Sequence, residues 1–295
     1  MPRFPYAALN PRHRLCLAQR LGMIAKWRLD GRKLLKLEAR DEAPFRLVSM
    51  AGKSHLSLLR ESLYSFGRHA SLTPSLTIIS DGSLNQSDFT AALSFWPSSI
   101  EVLTPKQVMD SIPIEVRSLL DPLVKAHALG IKLAGVIALS ARGPLFFSDS
   151  DILWFSDPVA MLTHSFSQYS LAVAREEGCS INLNLAAKYA PSIMKAPSIN
   201  SGCILVNKNL IKHPFLIELL IEANKNLVDE FNEQTIFGIL ATVIGGELPE
   251  KLCLTHFRDG FDIFNRKVWK EGYCSRHYIR FIRHQFYRDL LKNNE

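Results

Sequence analysis

The sequence predicts an α/β protein whose mainly parallel sheet is flanked by helices, in a single domain that follows an N-terminal helical extension. Short apolar runs alternate with helix-length segments from residue 44 onward, and strands separated by such helices form βαβ units. A chain of 295 residues that is 47% hydrophobic and 21% charged can bury one large core. We therefore expect a basic helical extension over residues 1–43 and one α/β domain over residues 44–295.

The N-terminal segment combines apolar residues at helical spacing with many arginines and lysines. Residues 11–40 are predicted to be helical, and Gly31, which follows Asp30, is expected to divide them into two helices. A basic segment of this kind suits a helix that packs on the main domain with its basic face in water. It also suits a helix that lies on an anionic membrane. Packing on the main domain is the preferred interpretation.

The order of strands and helices in the main domain follows from hydrophobic periodicity and turn signals. Strands are predicted at residues 45–50, 76–80, 100–103, 145–147, 170–174 and 202–206. Helices are predicted at residues 55–69, 105–120, 122–141, 209–226 and 233–244, with a short helix starting at Asp157-Pro158 and a loop over 190–200. In such sheets, ligands bind beyond the carboxyl ends of the strands.

The net charge of +7 is concentrated at the two ends of the chain. Residues 1–42 hold ten Lys/Arg against four Asp/Glu, and residues 251–295 hold ten against five, so the span 43–250 carries a net charge of −4. Basic ends around an acidic middle suit a cation site that also receives an anionic ligand, or contact with an anionic membrane surface. No nucleic-acid-binding motif accompanies the charge, so we expect no nucleic-acid partner.

The cysteines and the apolar segments indicate the compartment. Five cysteines, Cys16, Cys179, Cys203, Cys253 and Cys274, are scattered without a C-x-x-C pair. This pattern argues against a disulfide framework and a zinc cluster, and favours a reducing cytoplasm in which each cysteine is a small buried hydrophobic residue. Since the sequence has neither a run of eighteen apolar residues nor an apolar core after the first basic residues, we expect no membrane span and no secretory signal.

Two aspartates one residue apart follow the apolar strand that ends at Phe147. The period of two in an extended chain puts Asp149 and Asp151 on the same side of the backbone. Two converging carboxylates repel each other unless a cation lies between them, and their hard oxygen atoms favour Mg²⁺ or Mn²⁺. A solvated turn is the alternative, because Asp-Ser-Asp is also common in turns.

With this motif and three others, the chain resembles nucleotide-diphospho-sugar glycosyltransferases of the Rossmann-like GT-A fold. Within them it resembles the retaining glycosyltransferase family 8, from about residue 44 to residue 287. The matching features are an apolar strand followed by Asp149-Ser150-Asp151, the segment Asn200-Ser201-Gly202 before an apolar run, the pair Glu233-Gln234, and His277 with Arg283 six residues later.

The resemblance implies a ligand set and a role for each matching residue. A divalent cofactor, Mn²⁺ or Mg²⁺, would be bound by Asp149, Asp151 and His277. The donor, expected from the family to be a UDP-sugar, would contact Lys132, Asp149, Ser150, Asn200, Ser201, Gly202 and Arg283. Glu233 and Gln234 would lie beside the donor sugar as the catalytic pair, and the basic segment 251–295 would close the donor site.

The residue types suit these roles, with departures from the family pattern. An asparagine amide can hold sugar hydroxyls, a glycine lets the backbone approach a sugar ring, imidazole can bind Mn²⁺, and guanidinium can hold phosphate. Glu233 stands where aspartate is usual, Arg280 stands where the family has glycine, and His284-Gln285 replaces proline-tryptophan. A plain basic C-terminal strand is therefore the alternative for the last motif. Lys132 either faces the donor or extends its ammonium group to the surface.

Other functions share part of this pattern. A degenerate GT-A domain would bind a sugar or a partner without turnover. A D-x-D phosphatase usually carries its motif early and adds a lysine and a later acidic pair, whereas here the motif lies mid-chain and no Asp-Asp dipeptide follows it. A nucleotidyltransferase opens with a glycine-rich loop, to which residues 51–54 correspond only faintly.

The sequence therefore predicts a metal-dependent glycosyltransferase in the cytoplasm, with peripheral contact at the inner membrane face as a further expectation. The acceptor would be a glycan, a lipid-linked molecule or a protein, because acceptor pockets are built from loops whose shape the sequence does not disclose. Retention of the anomeric configuration follows only from the resemblance, since Glu233 acting as a general base would suit inversion.

Overall fold

The computed structural model describes residues 11–29, 31–178, 180–195, 198–227, 229–255, 271–279 and 282–293. The strands within these ranges are β1 (Glu42–Ala51), β2 (Thr73–Ser80), β3 (Ile100–Leu103), β4 (Leu145–Ser148), β5 (Ile152–Trp154), β6 (Leu171–Glu176), β7 (Ser198–Val206), β8 (Gly246–Glu247), β9 (Cys253–Thr255) and β10 (Ser275–His277). The α-helices are α1 (Pro11–Leu29), α2 (Leu56–His69), α3 (Gln86–Ala92), α4 (Pro105–Asp110), α5 (Ile114–Ala126), α6 (Ala128–Ser140), α7 (Val159–Gln168), α8 (Leu183–Tyr189), α9 (Pro214–Ala223), α10 (Asn232–Ile244) and α11 (Arg283–Asn293).

Seven strands form the main sheet in the order β3-β2-β1-β4-β7-β6-β8. All pairs in this sheet are parallel except those that β7 makes with β4 and β6. The prediction of a mainly parallel sheet flanked by helices is therefore confirmed. A second sheet, in the order β5-β10-β9, carries His277 at the end of β10.

Alternating side chains of the central strands build a core on each face of the main sheet. Val48 and Phe147 pack with helices α5, α6, α9 and α10 on one face, whereas Leu47 and Phe146 pack with α2, α3 and α7 on the other. Fully buried strands such as β4 read as continuous apolar runs for this reason. A third cluster lies between α1, α11 and the small sheet, and Tyr278 is one of its fully buried members.

Several helix boundaries differ from those predicted. The segments predicted as helices at 105–120 and 122–141 form three helices, since α4 ends at Asp110 and α5 runs through Pro122 to Ala126. His127 separates α5 from α6: its backbone is extended, and its Nδ1 accepts a hydrogen bond from the N–H of Leu129. The helix predicted at 209–226 is shorter and begins at Pro214, a favoured first helical residue.

The predicted second helix of the N-terminal segment is wrong. After α1, Gly31 adopts a left-handed φ of 77°, and residues 32–40 have no regular secondary structure. The N–H of Leu37 instead donates to the carbonyl of Phe95, and Leu34 and Leu37 pack against the core beneath β1 and α2. Tertiary hydrophobic contacts have outweighed the local helical periodicity.

The buried side of α11 is joined to the small sheet by a charged network that includes Asp289. Arg276 and Asp289 are fully buried and lie 3.4 Å apart, and the hydroxyl of Tyr278 donates to Asp289 over 2.7 Å. Burial raises the pKa of Asp289 although Arg276 opposes it. Among the described residues, no helix is long and apolar enough to cross a bilayer.

We expect Asp289→Ala to lower the free energy of unfolding by about 3–5 kcal/mol, because it removes the buried carboxylate that pairs with Arg276 and accepts from the Tyr278 hydroxyl. Urea unfolding followed by circular dichroism measures the change. The control is Asp110→Ala, which removes an exposed carboxylate paired with Lys106 and should change stability far less. Equal losses in the two variants would contradict a structural role for the buried network.

Candidate active site

Polar side chains from several elements meet at one edge of the main sheet. Asp149 directly follows β4, Glu176 ends β6, and Asn200 lies in the first half of β7. Since β4 and β6 run in the same direction, these positions share the carboxyl-end edge where α/β sheets bind ligands. The D-x-D motif therefore lies where the sequence predicts it.

The candidate metal site consists of Asp149, Asp151 and His277. One ligand atom from each residue lies within 4.8 Å of the others. The imidazole Nε2 of His277 is 3.1 Å from Asp151 Oδ1 and 3.6 Å from Asp149 Oδ2, so either a proton or a metal ion can lie between them. Burial alone would lower the pKa of His277, but the two carboxylates raise it above its ordinary value.

A chain of hydrogen bonds fixes the orientation of His277. Asn200 Oδ1 lies 3.0 Å from His277 Nδ1 and accepts from the N–H of Gly202 over 2.8 Å. The amide nitrogen of Asn200 donates to Glu176 Oε2, which identifies Oδ1 as the acceptor. A proton on Nδ1 leaves the Nε2 lone pair directed at the carboxylates, as metal-binding histidines require.

Gly202 is needed for the close approach of His277 to β7. A Cβ atom at this position would lie 2.4 Å from the imidazole ring and 2.8 Å from Asn200 Oδ1. From the sequence, this glycine is expected to make room for a sugar ring, but in the structure the imidazole ring of His277 fills the space above it. Gly202 is therefore required by the packing of His277 in the candidate metal site.

Arg283 binds the D-x-D motif directly, through Asp151. Its Nε and terminal nitrogen donate to Asp151 Oδ2 over 3.1 and 2.6 Å, and its remaining nitrogen lies 3.4 Å from His55 Nε2. Burial would raise the pKa of Asp151, but His277 and Arg283 outweigh it and hold that pKa well below its usual range. The predicted contact of Arg283 with a diphosphate remains a prediction.

Lys132 is buried and directed into the site, so the alternative that its ammonium group extends to the surface is wrong. Its Nζ lies 3.2 Å from Asp149 Oδ1 and 3.3 Å from Glu233 Oε1, and donates to the Ser201 carbonyl over 2.7 Å. Burial would lower the pKa of Lys132, but the carboxylates of Asp149 and Glu233 raise it. The lysine therefore stays charged and joins helix α6 to the D-x-D turn.

The predicted catalytic pair lies in the first turn of α10. Burial raises the pKa of Glu233 to about 7, with Lys132 opposing the shift. The hydroxyl of Ser201 donates to Glu233 Oε2 over 2.9 Å, while Gln234 Oε1 accepts from the N–H of Ser201. The amide nitrogen of Gln234 donates to the Ser180 carbonyl, so its side chain also ties β7 to the loop before α8.

An irregularity in β7 presents Ser201 to these groups. Opposite the step from Val173 to Ala174 in β6, the register on β7 jumps from Ile204 to Asn200. The residues between them are unpaired on the β6 side, which is the geometry of a bulge. The sequence predicts a loop up to residue 200 and a strand from residue 202, but Asn200 and Ser201 both lie within β7.

The structure thus brings the predicted site residues to one cluster, with Ser150 buried in the turn between β4 and β5. Two residues of the site, Glu176 and His55, are not predicted from the sequence. An acidic residue just past the predicted strand 170–174 was a usable signal for Glu176, whereas nothing in the local sequence marked His55. The expectation that all cysteines are buried is wrong for Cys16, which is exposed, and Cys179 lies outside the described residues.

An open cavity of about 510 Å³ adjoins this cluster. It is lined by the carboxyl end of β6 with Glu176, by Glu250 and Tyr273, and by β9 with Thr255. Thr255 pairs with His277 across the small sheet, so the cavity and the candidate metal site share a wall.

Comparisons with known proteins identify the class of this fold. No protein-family model and no curated protein sequence matches the chain. Mouse xyloside xylosyltransferase 1 superposes with a TM-score of 0.54 and 15% identity, covering 81% of this chain and 98% of that one. The galactosyltransferase LgtC, solved with donor and acceptor sugar analogs, superposes with a TM-score of 0.51 and 11% identity, covering 80% and 87%.

A further structure shares the fold. The bifunctional glycosyltransferase WbbM superposes with a TM-score of 0.53 and 12% identity, covering 88% of this chain and 50% of that one. At these identities the likeness defines the fold, which is the GT-A glycosyltransferase fold that the sequence resemblance predicts.

We expect Gly202→Ala to weaken Mn²⁺ binding by about 10- to 100-fold, because the added methyl group displaces His277 and its hydrogen bond to Asn200. Electron paramagnetic resonance of free Mn²⁺ measures the affinity. The matched control is Gly67→Ala, whose methyl group would crowd Leu37 and Trp96 far from the site. Unchanged Mn²⁺ affinity in a folded Gly202→Ala protein would contradict the assignment of His277 as a ligand.

Proposed function

We propose that this protein is a metal-dependent glycosyltransferase that moves a sugar from a nucleotide-diphosphate donor, a UDP-sugar, to an acceptor hydroxyl. The observation that carries the proposal is the meeting of Asp149, Asp151 and His277 at the carboxyl edge of a GT-A sheet. Their oxygen and imidazole atoms suit Mn²⁺ or Mg²⁺. When bound, such an ion supplies a Lewis acid that neutralises the charge of a departing diphosphate.

The balance of charge in the cluster supports this role. Lys132 and Arg283 provide two permanent cations against the carboxylates of Asp149, Asp151 and Glu233. A divalent ion would make the summed charge of these five side chains and the ion positive, which suits a ligand with a dianionic diphosphate. Preorganised positive charge of this kind stabilises charge that develops on a leaving group.

The neighbouring polar residues would bind and orient the donor sugar. Glu233 and Gln234 both bond to Ser201, so the three form one rigid polar wall beside Asp149. We propose that Glu233 holds sugar hydroxyls and that Gln234 lies near the reacting face. The proposed donor site is completed by Ser150, Asn200 and Gly202. Asn200 also orients His277 through its side-chain oxygen.

The stereochemical outcome is proposed to be retention, on the strength of the family resemblance. Burial raises the pKa of Glu233 to about 7, and a carboxylate of that pKa is also suited to act as a general base. Its engagement with Lys132 and Ser201 favours a positioning role over proton transfer.

The cavity beside Glu176 and Tyr273 is proposed to receive the acceptor. It lies next to His277 through Thr255, and its polar lining of carboxylates and a phenol can accept and donate hydrogen bonds to hydroxyl groups. A glycan, a lipid-linked glycan or a glycosylated protein would present such hydroxyls. The proposed setting is the cytoplasm, which suits the free thiols of Cys203, Cys253 and Cys274.

One observation favours a second function, a GT-A domain that binds a sugar or a partner without turnover. Arg283 occupies Asp151 Oδ2 and His277 faces Oδ1, so the aspartate is already neutralised by protein groups. Such a pairing would hold the site together without an ion.

Calorimetric titration of UDP into metal-free protein, with and without Mn²⁺, distinguishes these functions. We expect tight binding only with Mn²⁺, and a loss of about 100-fold or more in Asp149→Ala/Asp151→Ala. The matched control is Asp110→Ala/Asp121→Ala, which removes two exposed carboxylates that pair with lysines outside the site. UDP binding that requires neither Mn²⁺ nor the two aspartates would favour the non-catalytic binding domain. Absence of UDP binding by folded protein would reject a UDP-sugar as the donor.

Glu233→Gln tests the proposed catalytic pair. We expect the hydrolysis of a bound UDP-sugar to slow by about 10²-fold, because the donor sugar loses the buried carboxylate that positions it beside Lys132. The control is Glu247→Gln on the exposed end of β8. The anomer released, read by proton nuclear magnetic resonance, tests retention. A rate close to that of the parent protein would remove Glu233 from the proposed mechanism.

A further inference from the structure

The outer face of α1 exposes large apolar side chains that no other part of the described chain covers. Met23 and Trp27 are 70% and 76% exposed, and Leu17, Leu21 and Ile24 are also exposed. Single apolar residues at a surface are ordinary, but several on one helix mark an interaction site.

These side chains are not needed to hold α1 in place. The inner face of the helix consists of Ala18, Gly22, Ala25 and Leu29, which are buried where α1 packs on α11. A Cβ atom at Gly22 would lie 2.4 Å from the backbone oxygen of His284, so the two helices are in close contact. The large residues thus occupy the face that points away from the domain.

The same outer face is basic. The sequence of α1 contains five Lys/Arg and no Asp or Glu. At 100° per residue, Arg20 and Arg28 lie among the exposed apolar side chains, and Arg12 and Lys26 lie along one flank. Apolar and cationic groups therefore alternate on one surface without any negative charge.

We propose that α1 docks the protein onto the surface of an anionic lipid bilayer. Tryptophan and methionine would enter the interfacial layer while arginine and lysine contact the headgroups, the arrangement by which interfacial helices bind. Self-association through this face would bring two purely basic helices together, and their like charges would repel. An anionic bilayer can bury the apolar side chains in its interfacial layer and pair its headgroups with the cationic side chains.

Docking would place the candidate active site near the bilayer. Gly22 of α1 contacts His284, and the adjacent Arg283 is bound to Asp151 of the D-x-D motif. An acceptor carried on a lipid would then reach the site from the membrane surface. This consequence for the acceptor rests on the proposed function, whereas the docking itself does not.

Vesicle co-sedimentation tests the docking. Two kinds of vesicle are compared, one of phosphatidylcholine alone and one in which about one third of the lipid is phosphatidylglycerol. We expect the full chain to bind only the anionic vesicles, and less at high salt. Arg20→Gln/Arg28→Gln should weaken binding by about 25-fold, and Met23→Ser/Trp27→Ser by about tenfold or more. The matched control is Ile114→Ser/Leu183→Ser, which removes two apolar side chains of 58% and 57% exposure on other helices and should bind like the parent.

Thermal melting and sedimentation velocity on the same proteins make the result decisive. Parent-like melting of each α1 variant, together with lost vesicle binding, would support docking through this face whether or not UDP binds. Absence of binding by the folded parent protein, or equal binding by Met23→Ser/Trp27→Ser, would overturn the proposal. A parent dimer that becomes monomeric in Met23→Ser/Trp27→Ser, with no vesicle binding, would show instead that a second copy covers the helix.

Discussion

The mutual neutralisation of buried charges at the carboxyl edge of the sheet is the constraint on which the rest of the site depends. Asp151 and Glu233 are buried, and an unpaired buried carboxylate is too costly to keep ionised. Lys132 and Arg283 supply the opposing charges from two separate helices, α6 and α11. The D-x-D turn therefore depends on helices α6, α10 and α11, because the charges that these elements carry neutralise one another.

The scaffold around this cluster is apolar and continuous, which explains how so much charge is tolerated. Strand β4 is buried along its whole length, and the Phe147 ring lies 4.7 Å from the ammonium group of Lys132. A low-dielectric environment strengthens each ion pair and each hydrogen bond to the carboxylates. The same burial raises the pKa of Glu233 to about 7.

Hydrogen bonds fix the positions of the side chains around this charged cluster. Glu176 holds Asn200, Asn200 holds His277, and the absence of a side chain at Gly202 leaves room for the imidazole ring. The bulge in β7 turns Ser201 toward Lys132 and Glu233. The N-x-G sequence on β7 thus shapes the candidate metal site, in addition to the donor-binding role that the resemblance implies for it.

The sequence by itself determined the alternation of strands and helices and the placement of Asp149 and Asp151 at a strand end, because both follow from local periodicity. Only the tertiary structure decided which groups neutralise them. Asp151 contacts His277 and Arg283 from 126 and 132 residues away, and the burial of Lys132 depends on how α6 packs. The irregular path of residues 32–40 and the exposure of Cys16 were likewise set by packing. Local patterns specify elements, whereas contacts between distant residues depend on the packing of the whole domain.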